Sequence, residues 1–276
     1  NTIAHALTER RALTLIASPW IVPLYFAFQS EHHLFLVMEY MCGGDLGALV
    51  KVHRRIGCIE SVRFYAVELI IAVDQLHRAN IIHHDIKPEN ILIASDGHIK
   101  LIDLGLSVVG SRDDTNHDNV RMGTPDYMAP EIVGGMQSST AVDVWAIGCV
   151  IHELYYGQPP FHADTVERVF TNIQLGYTKM GQDPIDTLLS QLMRLEPAKR
   201  PTLEEVKDDP FFEGVVWSNR PEGLITLHPP FIPNPQHDED TCYFDICRTP
   251  ERLSVIEEMQ VAYPMSIHSL DHKTST

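Results

Sequence analysis

Apolar residues recur at spacings of three, four and seven positions along much of the chain, which is the pattern of an α-helix with one buried face. The clearest case is a helix predicted over residues 60–78, where Val62, Leu69 and Leu76 fall on one side. Another predicted helix, 141–156, is apolar almost all round and is therefore expected to be buried. The complete set of predicted helices is 2–16, a short helix beginning at Asp45, 60–78, 141–156, 164–174, 184–194 and 202–208.

Strand patterns are fewer and shorter than helical ones. The predicted strands are 21–28 and 33–40, which are joined by a polar turn, and the short apolar pieces 91–93 and 99–102. Residues 103–128 are rich in Gly, Asp, Asn and Ser, which predicts a long loop. From 214 onward the chain becomes rich in proline, and we expect that part to lie extended on the body of the protein.

The charge balance limits which partners the chain can take. It has 21 Lys and Arg against 37 Asp and Glu in 276 residues, which is a formal net charge of −16. An acidic surface repels phosphate backbones and anionic lipid headgroups, so we expect neither nucleic-acid nor membrane binding. The same charge suits a protein partner that carries Lys or Arg.

Scattered cysteines without a C-x-x-C pair indicate reduced thiols, and no apolar run reaches the roughly 18–20 residues of a membrane span. We therefore expect a cytoplasmic and/or nuclear protein.

Three polar clusters follow one another along the chain: HHDIKPEN at 83–90, DLG at 103–105 and GTPDYMAPE at 123–131. Their chemistry suits phosphoryl transfer, because Mg²⁺ prefers oxygen ligands and Asn90 and Asp103 can supply them. Asp85 can accept the proton of a hydroxyl nucleophile and orient it. Lys87 places a cation where negative charge develops on the transferred group.

A metal-dependent phosphohydrolase of the HD type is an alternative interpretation of His83 and Asp85. That class needs a further His and Asp arranged around its metal. The spacing of Lys87, Pro88 and Asn90 after Asp85 fits the phosphoryl-transfer interpretation better.

The three clusters, in this order and at compatible distances, resemble the HRD-x4-N, DFG and APE signatures of eukaryotic protein kinases. Lys87 and Thr124 resemble the serine/threonine branch of that family. The resemblance implies an α+β, protein-kinase-like fold with a mostly helical C-lobe and an incomplete N-lobe of one helix and two strands. It also implies ATP and Mg²⁺ as cofactors, protein substrates and a monomeric state.

The resemblance implies a set of nucleotide-binding positions. Met38 matches the gatekeeper, and Glu39 and Met41 belong to the hinge whose backbone bonds adenine. Asp45 resembles the acid that meets the ribose hydroxyls. Phe244 resembles the tail aromatic that covers the adenine edge. Among the catalytic positions, Thr124 matches the threonine that bonds the catalytic Asp and Lys.

Further matches concern the framework of the fold and the substrate. Glu9 lies where the family carries the glutamate of its αC helix, and Asp143 matches the buried acid that anchors the catalytic loop. Glu131 and Arg200 resemble the structural ion pair of the C-lobe, and His83 is expected to pack in the core. The substrate-binding acids of kinases that select basic peptides are matched by Glu89 and Glu153.

The exact amino-acid sequences of three motifs narrow the resemblance to the AGC group of kinases. EYMCGGDL, DGHIKLIDLGLS and GTPDYMAPE are similar to AGC sequences, and the Pro-rich end is similar to the AGC tail. Within that group the chain most resembles the Greatwall/MAST/Rim15 kinases. The implied division is a partial N-lobe and hinge at 1–41, a C-lobe at 42–213 and a C-terminal tail at 214–276.

The chain departs from the family pattern at its start. It contains no G-x-G-x-x-G, and its first lysine is Lys51, beyond the hinge, so Glu9 lacks the lysine that the family pairs with it. We therefore expect an N-terminally truncated kinase that by itself binds ATP weakly and is weakly active or inactive. A non-catalytic, kinase-like interaction module is the alternative, but a scaffold would not need the residues of the three polar clusters.

Other departures concern regulation. His84 stands where the family has an arginine that docks a phosphate on the activation loop, and Val120 stands at a common phosphothreonine position. Phosphorylation of the activation loop is thus expected to contribute less to regulation in this chain than in the family. The candidate phosphorylation sites are Ser107, Ser111 and Thr115. Leu104 replaces the phenylalanine of DFG and is expected to serve as an equivalent apolar plug.

Overall fold

The computed structural model describes residues 2–110, 122–224, 226–235 and 243. Its helices are α1 (Thr2–Leu15), α2 (Leu46–His53), α3 (Ile59–Arg78), α4 (Pro130–Val133), α5 (Ala141–Tyr156), α6 (Val166–Leu175), α7 (Pro184–Leu192) and α8 (Leu203–Val206). Its strands are β1 (Leu24–Gln29), β2 (Leu34–Met38), β3 (Ile81–Ile82), β4 (Ile91–Ile93), β5 (Ile99–Leu101) and β6 (Val108–Val109). Single 3₁₀ turns, such as Pro88–Asn90 and Pro125–Tyr127, connect several of these elements.

The strands pair two by two in antiparallel ladders. β1 pairs with β2, β4 pairs with β5, and β3 pairs with β6 through Ile81 opposite Val109. The β4–β5 pair is joined to the first part of the chain by backbone bonds, since Val22 N donates to Leu101 O at 3.0 Å. Mixed helices and short strands confirm the α+β prediction.

Helix periodicity predicted the long elements well. The predicted helix 141–156 coincides with α5, 60–78 differs from α3 by one residue, and the helix predicted to begin at Asp45 is α2. Asp45 caps α2, because its Oδ1 accepts a hydrogen bond from Ala48 N at 2.8 Å. Three short elements were missed: α4, β3, and β6 inside the predicted loop 103–128. The last two pair only with each other, across a long stretch of chain.

The core of the protein surrounds α3 and α5. Both helices are buried along most of their length, and α5 packs between α3 and α7. The side chain of Trp145 in α5 stacks on Phe161, with ring centroids 5.1 Å apart. Among the described residues, no helix is both long and apolar enough to cross a membrane.

A buried ion pair joins α4 to the start of α8. The guanidinium of Arg200 donates to both carboxylate oxygens of Glu131 at 2.7 Å and to Ala141 O at 2.8 Å. Its position over the Trp145 ring, 5.0 Å from the centroid, adds a cation–π contact. Such a pair fixes geometry, since either partner left alone would be a buried, uncompensated charge.

Residues 213–224 and 226–235, here called the C-terminal segment, run back across the body of the protein. Trp20 Nε1 donates to Asn219 O at 3.0 Å, which joins the segment to the chain before β1. Gly97, in the turn between β4 and β5, has φ +88°, and a Cβ there would lie 2.4 Å from Phe231 O. Gly43 is equally close to the segment, because its Cβ would lie 2.6 Å from Pro233 Cγ. At these two positions the segment therefore lies too close to the backbone for any side chain to fit.

We expect Gly97→Ala to destabilise the protein more than Gly214→Ala. Gly214 has a similar φ of +81° but no atom within 4 Å of a built Cβ, so its variant reports only backbone strain, about 1–2 kcal/mol. Gly97→Ala should cost about 1–3 kcal/mol more, because the methyl group meets the Phe231 carbonyl. Urea unfolding of both variants measures the difference, and equal losses would contradict the contact.

Candidate active site

Asp85 lies at the centre of a hydrogen-bonded group that comes from two distant loops. Lys87 Nζ is 2.7 Å from Asp85 Oδ2, and the same ammonium donates to Thr124 Oγ1 at 2.9 Å. Thr124 donates to Asp85 Oδ1 through its hydroxyl at 2.7 Å and through its backbone N at 2.9 Å. The three side chains thus close a ring that fixes both oxygens of the carboxylate.

Asn90 joins this group from the 3₁₀ turn that follows Lys87. Its Nδ2 donates to Asp85 O at 2.8 Å and to Asp85 Oδ2 at 3.2 Å. Ile102 N donates to Asn90 O at 3.0 Å, so the residue just before Asp103 is bonded to the backbone of Asn90. The structure therefore brings Asp85, Lys87, Asn90 and Thr124 together and sets Asp103 directly beside them.

The environment of Asp85 favours its ionised form. Burial by itself would raise the pKa of this carboxyl group, but the hydrogen bonds from Lys87 and Thr124 outweigh burial and hold the pKa below its usual value. Because the side chain of Asp85 is almost fully buried, its charge is little screened by water. An ionised, oriented carboxylate is the form that can bind a hydroxyl proton.

A single carboxylate, that of Asp143 in α5, holds the loop that carries Asp85. Its Oδ2 accepts from His83 N at 2.9 Å, and its Oδ1 accepts from His84 N at 3.0 Å. His84 has φ +67°, a left-handed conformation that is unfavourable for a residue with a side chain. The two backbone bonds stabilise this conformation, and the sequence prediction for Asp143 as an anchor matches this geometry.

His77 also bonds to Asp143, and neither motif nor periodicity predicted it. Its Nε2 lies 2.7 Å from Asp143 Oδ2, at the C-terminal end of α3. Burial alone would raise the pKa of Asp143, but the contact with His77 and the charges of His83 and His84 lower it. The only sequence signal was position: His77 sits six residues before His83, in the last turn of the longest helix.

His83 connects the Asp85 loop to the segment before Asp103. Its Nδ1 accepts from Asp85 N at 3.3 Å and its Nε2 lies 3.2 Å from Ile102 O, an arrangement that assigns the proton to Nε2. The imidazole is fully buried, as predicted for a core residue. Leu104 is also fully buried, so its side chain occupies an apolar site beside Asp103.

Asp103 faces a second carboxyl group, that of Glu9 in α1. Asp103 adopts φ +59°, and its Oδ1 accepts from Gly105 N at 3.2 Å. Burial and the nearby charge of Asp103 raise the pKa of Glu9 to about 7. Because like charges repel, this part of the site favours a cation or a proton between the two carboxyl groups.

The predicted hinge lies where β2 ends. Met41 is buried, and Met38 is the last residue of β2 and is partly buried. Glu39 N donates to Pro23 O at 3.2 Å, and its side chain forms an ion pair with Lys100 at 2.5 Å. Asp45 uses one oxygen to cap α2, as described above. Phe244 lies outside the described residues.

The two predicted substrate acids lie near each other. Glu153 accepts a hydrogen bond from Tyr127 OH at 2.5 Å, and Glu89 is 4.0 Å from Lys51 Nζ. Burial raises the pKa of Glu153 to about 6, and the charges of Glu89 and Asp126 add to that shift although the bond from Tyr127 opposes it. Neither Tyr127 nor Lys51 was predicted from the sequence, because both act by contact with residues far along the chain.

The candidate phosphorylation sites fall in different parts of the chain. Ser107 is 6% exposed, so its hydroxyl is not accessible in this conformation. Ser111 and Thr115, like Val120, lie outside the described residues.

Comparisons with known proteins place the chain among kinases. The family described as "Protein kinase domain" matches residues 1–212. The "Probable serine/threonine protein kinase IRE4" of Arabidopsis thaliana is 37% identical over 88% of the chain. The "RAC family serine/threonine-protein kinase homolog" of Dictyostelium discoideum is 33% identical over 92%, and the "Myotonin-protein kinase" of Mus musculus is 39% identical over 94%. The matches span only 26%, 58% and 44% of these three relatives.

We expect Glu9→Gln to stabilise the chain in a pH-dependent way. The pKa of Glu9 is about 7 in the folded protein and ordinarily 4.5, so ionisation of this group opposes folding as the pH rises from 4.5 through 7. The variant should therefore match the wild type at about pH 4 and unfold at a higher temperature at about pH 8. Thermal unfolding at both pH values measures this, and a difference that does not change with pH would contradict the raised pKa of Glu9.

Proposed function

The chain belongs to the protein kinase family, and from that membership we propose that it transfers the γ-phosphate of ATP to serine or threonine hydroxyls of proteins. The observation that carries this proposal is the closed group of Asp85, Lys87 and Thr124, with Asn90 bonded to it. The group combines a proton acceptor, a cation and an amide oxygen within one small volume. The missing lysine partner of Glu9 is the feature that favours a non-catalytic module, whereas the three relatives named above are all described as kinases.

Asp85 would orient the substrate hydroxyl and accept its proton. Its lowered pKa keeps the carboxylate ionised at neutral pH, so it is available as an acceptor before the reaction begins. Lys87 would leave part of its contact with Asp85 and Thr124 to stabilise the charge on the transferred phosphoryl group. Thr124, bonded to both, would limit how far either can move.

The donor atoms beside Asp85 fit a magnesium ion. Asn90 and Asp103 offer an amide and a carboxylate, which are oxygen ligands of the kind that Mg²⁺ prefers, and they lie on backbone segments bonded to each other. No group of three or more His, Cys, Asp or Glu side chains that could hold a metal occurs among the described residues. When bound with ATP, the ion would neutralise phosphate charge. Glu9, facing Asp103, would add to the negative potential that attracts it.

The end of β2 would bind the nucleotide base. On sequence resemblance, backbone groups of Glu39 and Met41 just after this strand would bond the base, although Glu39 N already donates to Pro23 O at 3.2 Å. The Glu39–Lys100 ion pair connects this stretch to β5. Only Oδ2 of Asp45 would bond the ribose hydroxyls, because Oδ1 caps α2. Phe244 remains part of the proposal on sequence resemblance alone.

The substrate would be a protein segment with basic residues near the phosphorylated hydroxyl. Burial raises the pKa of Glu153, and the negative charges of Glu89 and Asp126 repel its carboxylate and add to that rise. An arginine bound among them would relieve this repulsion. The net charge of −16 supports the same preference.

We also propose that the chain is of the AGC type, with a division at 1–41, 42–213 and 214–276. Similarity to the RAC family homolog supports the type, and the C-terminal segment on Gly43 and Gly97 supports a tail that follows the C-lobe. We base the proposed membership of the Greatwall/MAST/Rim15 group within the AGC kinases on the amino-acid sequences of the motifs alone. We also propose that the protein is monomeric and is located in the cytoplasm and/or the nucleus.

We expect Asp85→Asn to lower the rate of phosphate transfer about 10²–10⁴-fold, because the amide cannot accept the hydroxyl proton. Binding of Mg²⁺-ATP should change little, since Asp85 is not proposed to bind the metal. Transfer to a protein substrate at millimolar ATP and calorimetric binding measure the two effects. Asp164→Asn is the matched control, because Asp164 is an exposed carboxylate that pairs with Arg168. A wild-type rate in Asp85→Asn would contradict the proposed function.

We expect the double variant Glu89→Gln, Glu153→Gln to lose most of the selection for arginine in a peptide array. Glu167→Gln, on the exposed face of α6, should keep it. In the wild type, the part due to Glu153 should fall as the pH drops through about 6, where this carboxyl group becomes protonated. Unchanged arginine selection in the double variant would count against these two residues.

A further inference from the structure

Residues 51–55, at the C-terminal end of α2, form a basic surface on an acidic protein. The sequence there is Lys51, Val52, His53, Arg54 and Arg55, here called the basic run, and all five residues are exposed. The side chain of Lys51 is 71% exposed, and Val52 is 77% exposed. Because the whole chain has 21 Lys and Arg against 37 Asp and Glu, such a concentration of cations is unusual for this protein.

The two arginines of the basic run have no carboxylate partner. Among the residues that the structure describes, neither Arg54 nor Arg55 forms an ion pair. Exposed cations elsewhere do so: Arg78 pairs with Asp74 at 3.1 Å, Arg168 with Asp164 at 3.6 Å and Lys199 with Glu196 at 2.7 Å. Two adjacent guanidinium groups are therefore available to an anion from outside the chain.

The backbone fixes the basic run next to one of the proposed substrate acids. Ile56 N donates to Leu154 O at 2.9 Å, at the end of the helix that carries Glu153. Arg54 has φ +62° at the C-cap of α2, a left-handed conformation in which glycine is favoured. Its carbonyl lies against Gly157, where a Cβ would collide with it. Since glycine would fit this conformation without strain, the backbone does not explain why an arginine stands there.

Lys51 connects the basic run to the other proposed substrate acid. Its Nζ lies 4.0 Å from Glu89 Oε1. The side chain of Glu89 follows α2, because a Cβ on Gly47 would lie 3.2 Å from its Cγ. Gly47 and Lys51 are four positions apart and therefore share one face of the helix. Two surfaces of opposite charge thus meet at Lys51 and Glu89.

We propose that the basic run binds an acidic residue of the protein substrate, through Arg54 and Arg55, beside the basic residue that Glu89 and Glu153 bind. This inference rests on the proposed function and adds a second half to its substrate preference. Arginine suits the role, because its planar guanidinium can donate two parallel hydrogen bonds to a carboxylate. A segment that carries both charges would match both surfaces, whereas a uniformly basic segment would be repelled by the run.

An anionic membrane is the other class of partner that a basic run can take. A membrane presents negative charge over a wide area, and charges are screened only beyond about 8 Å at physiological salt. Glu89 lies 4.0 Å from Lys51, and the exposed Glu60 follows five residues after Arg55, so both would be repelled by the lipid headgroups. A short peptide segment meets the local charges alone, and the surroundings of the run therefore favour a protein.

Binding of a peptide series tests the proposal. Each peptide carries one arginine, an alanine in place of the phosphorylated serine, and a single aspartate that is moved through every flanking position. Fluorescence anisotropy measures the Kd of each peptide without requiring phosphate transfer. We expect one aspartate position to tighten binding about threefold to tenfold relative to asparagine there. This gain should shrink as the salt concentration rises from about 0.05 M to about 0.5 M.

Three variants locate the effect in the basic run. Arg55→Glu should lose the gain from aspartate, and lysine at the same peptide position should now bind more tightly than aspartate. Lys199→Glu makes the same charge change at another exposed cation and should behave as the wild type. Arg54→Gly should lose part of the gain without a lower unfolding temperature, because glycine adopts the left-handed conformation without strain. A loss in this variant is thus distinguished from poor folding.

Two results would overturn the proposal at the level of the peptide. One is a wild-type chain whose binding no aspartate position tightens, and the other is a gain that persists in both Arg55→Glu and Arg54→Gly. Binding to vesicles of phosphatidylserine and phosphatidylcholine that is lost in Arg55→Glu would also overturn it, since the run would then serve a membrane. Failure to phosphorylate the matching serine peptide would contradict the proposed function alone, because the binding measurement does not depend on transfer.

Discussion

The buried carboxylate of Asp143 is the constraint on which the candidate site depends. Its two oxygens accept the backbone N–H groups of His83 and His84, and His77 bonds it from α3. The bond from His84 N helps to offset the strain of the left-handed conformation of that residue. Because Asp85 is the next residue, the direction in which its side chain points follows from this anchor, and so do the positions of Lys87 and Asn90.

Electrostatics then divide the site into two regions of different character. Around Asp85, cations and hydroxyl donors stabilise a negative charge and lower its pKa. Around Asp103 and Glu9, two carboxyl groups face each other, and the pKa of Glu9 is raised to about 7. The first region suits an acceptor of a proton, and the second attracts a divalent cation. A reaction between a hydroxyl group and a metal-bound phosphate needs both regions side by side.

The sequence predicted what depends on local pattern or on motif spacing. The long helices followed from apolar periodicity, and the grouping of Asp85, Lys87, Asn90 and Thr124 followed from clusters whose order and spacing matched a known family. What it could not predict are contacts between residues far apart that have no motif. The bonds of His77 to Asp143 and of Tyr127 to Glu153 are of this kind. Each depends on how helices pack, which a one-dimensional pattern does not contain.

We propose that Asn90 and Asp103 would hold the metal ion of a bound nucleotide beside Asp85. Replacing Mg²⁺ with paramagnetic Mn²⁺, in the presence of a non-hydrolysable ATP analogue, tests this claim directly by nuclear magnetic resonance. The account predicts that the amide signals of Asn90 and Asp103 broaden first, while those of Leu188 in the core of α7 stay sharp. Broadening that spares Asn90 and Asp103 at saturating nucleotide, or that centres on another part of the protein, would contradict it.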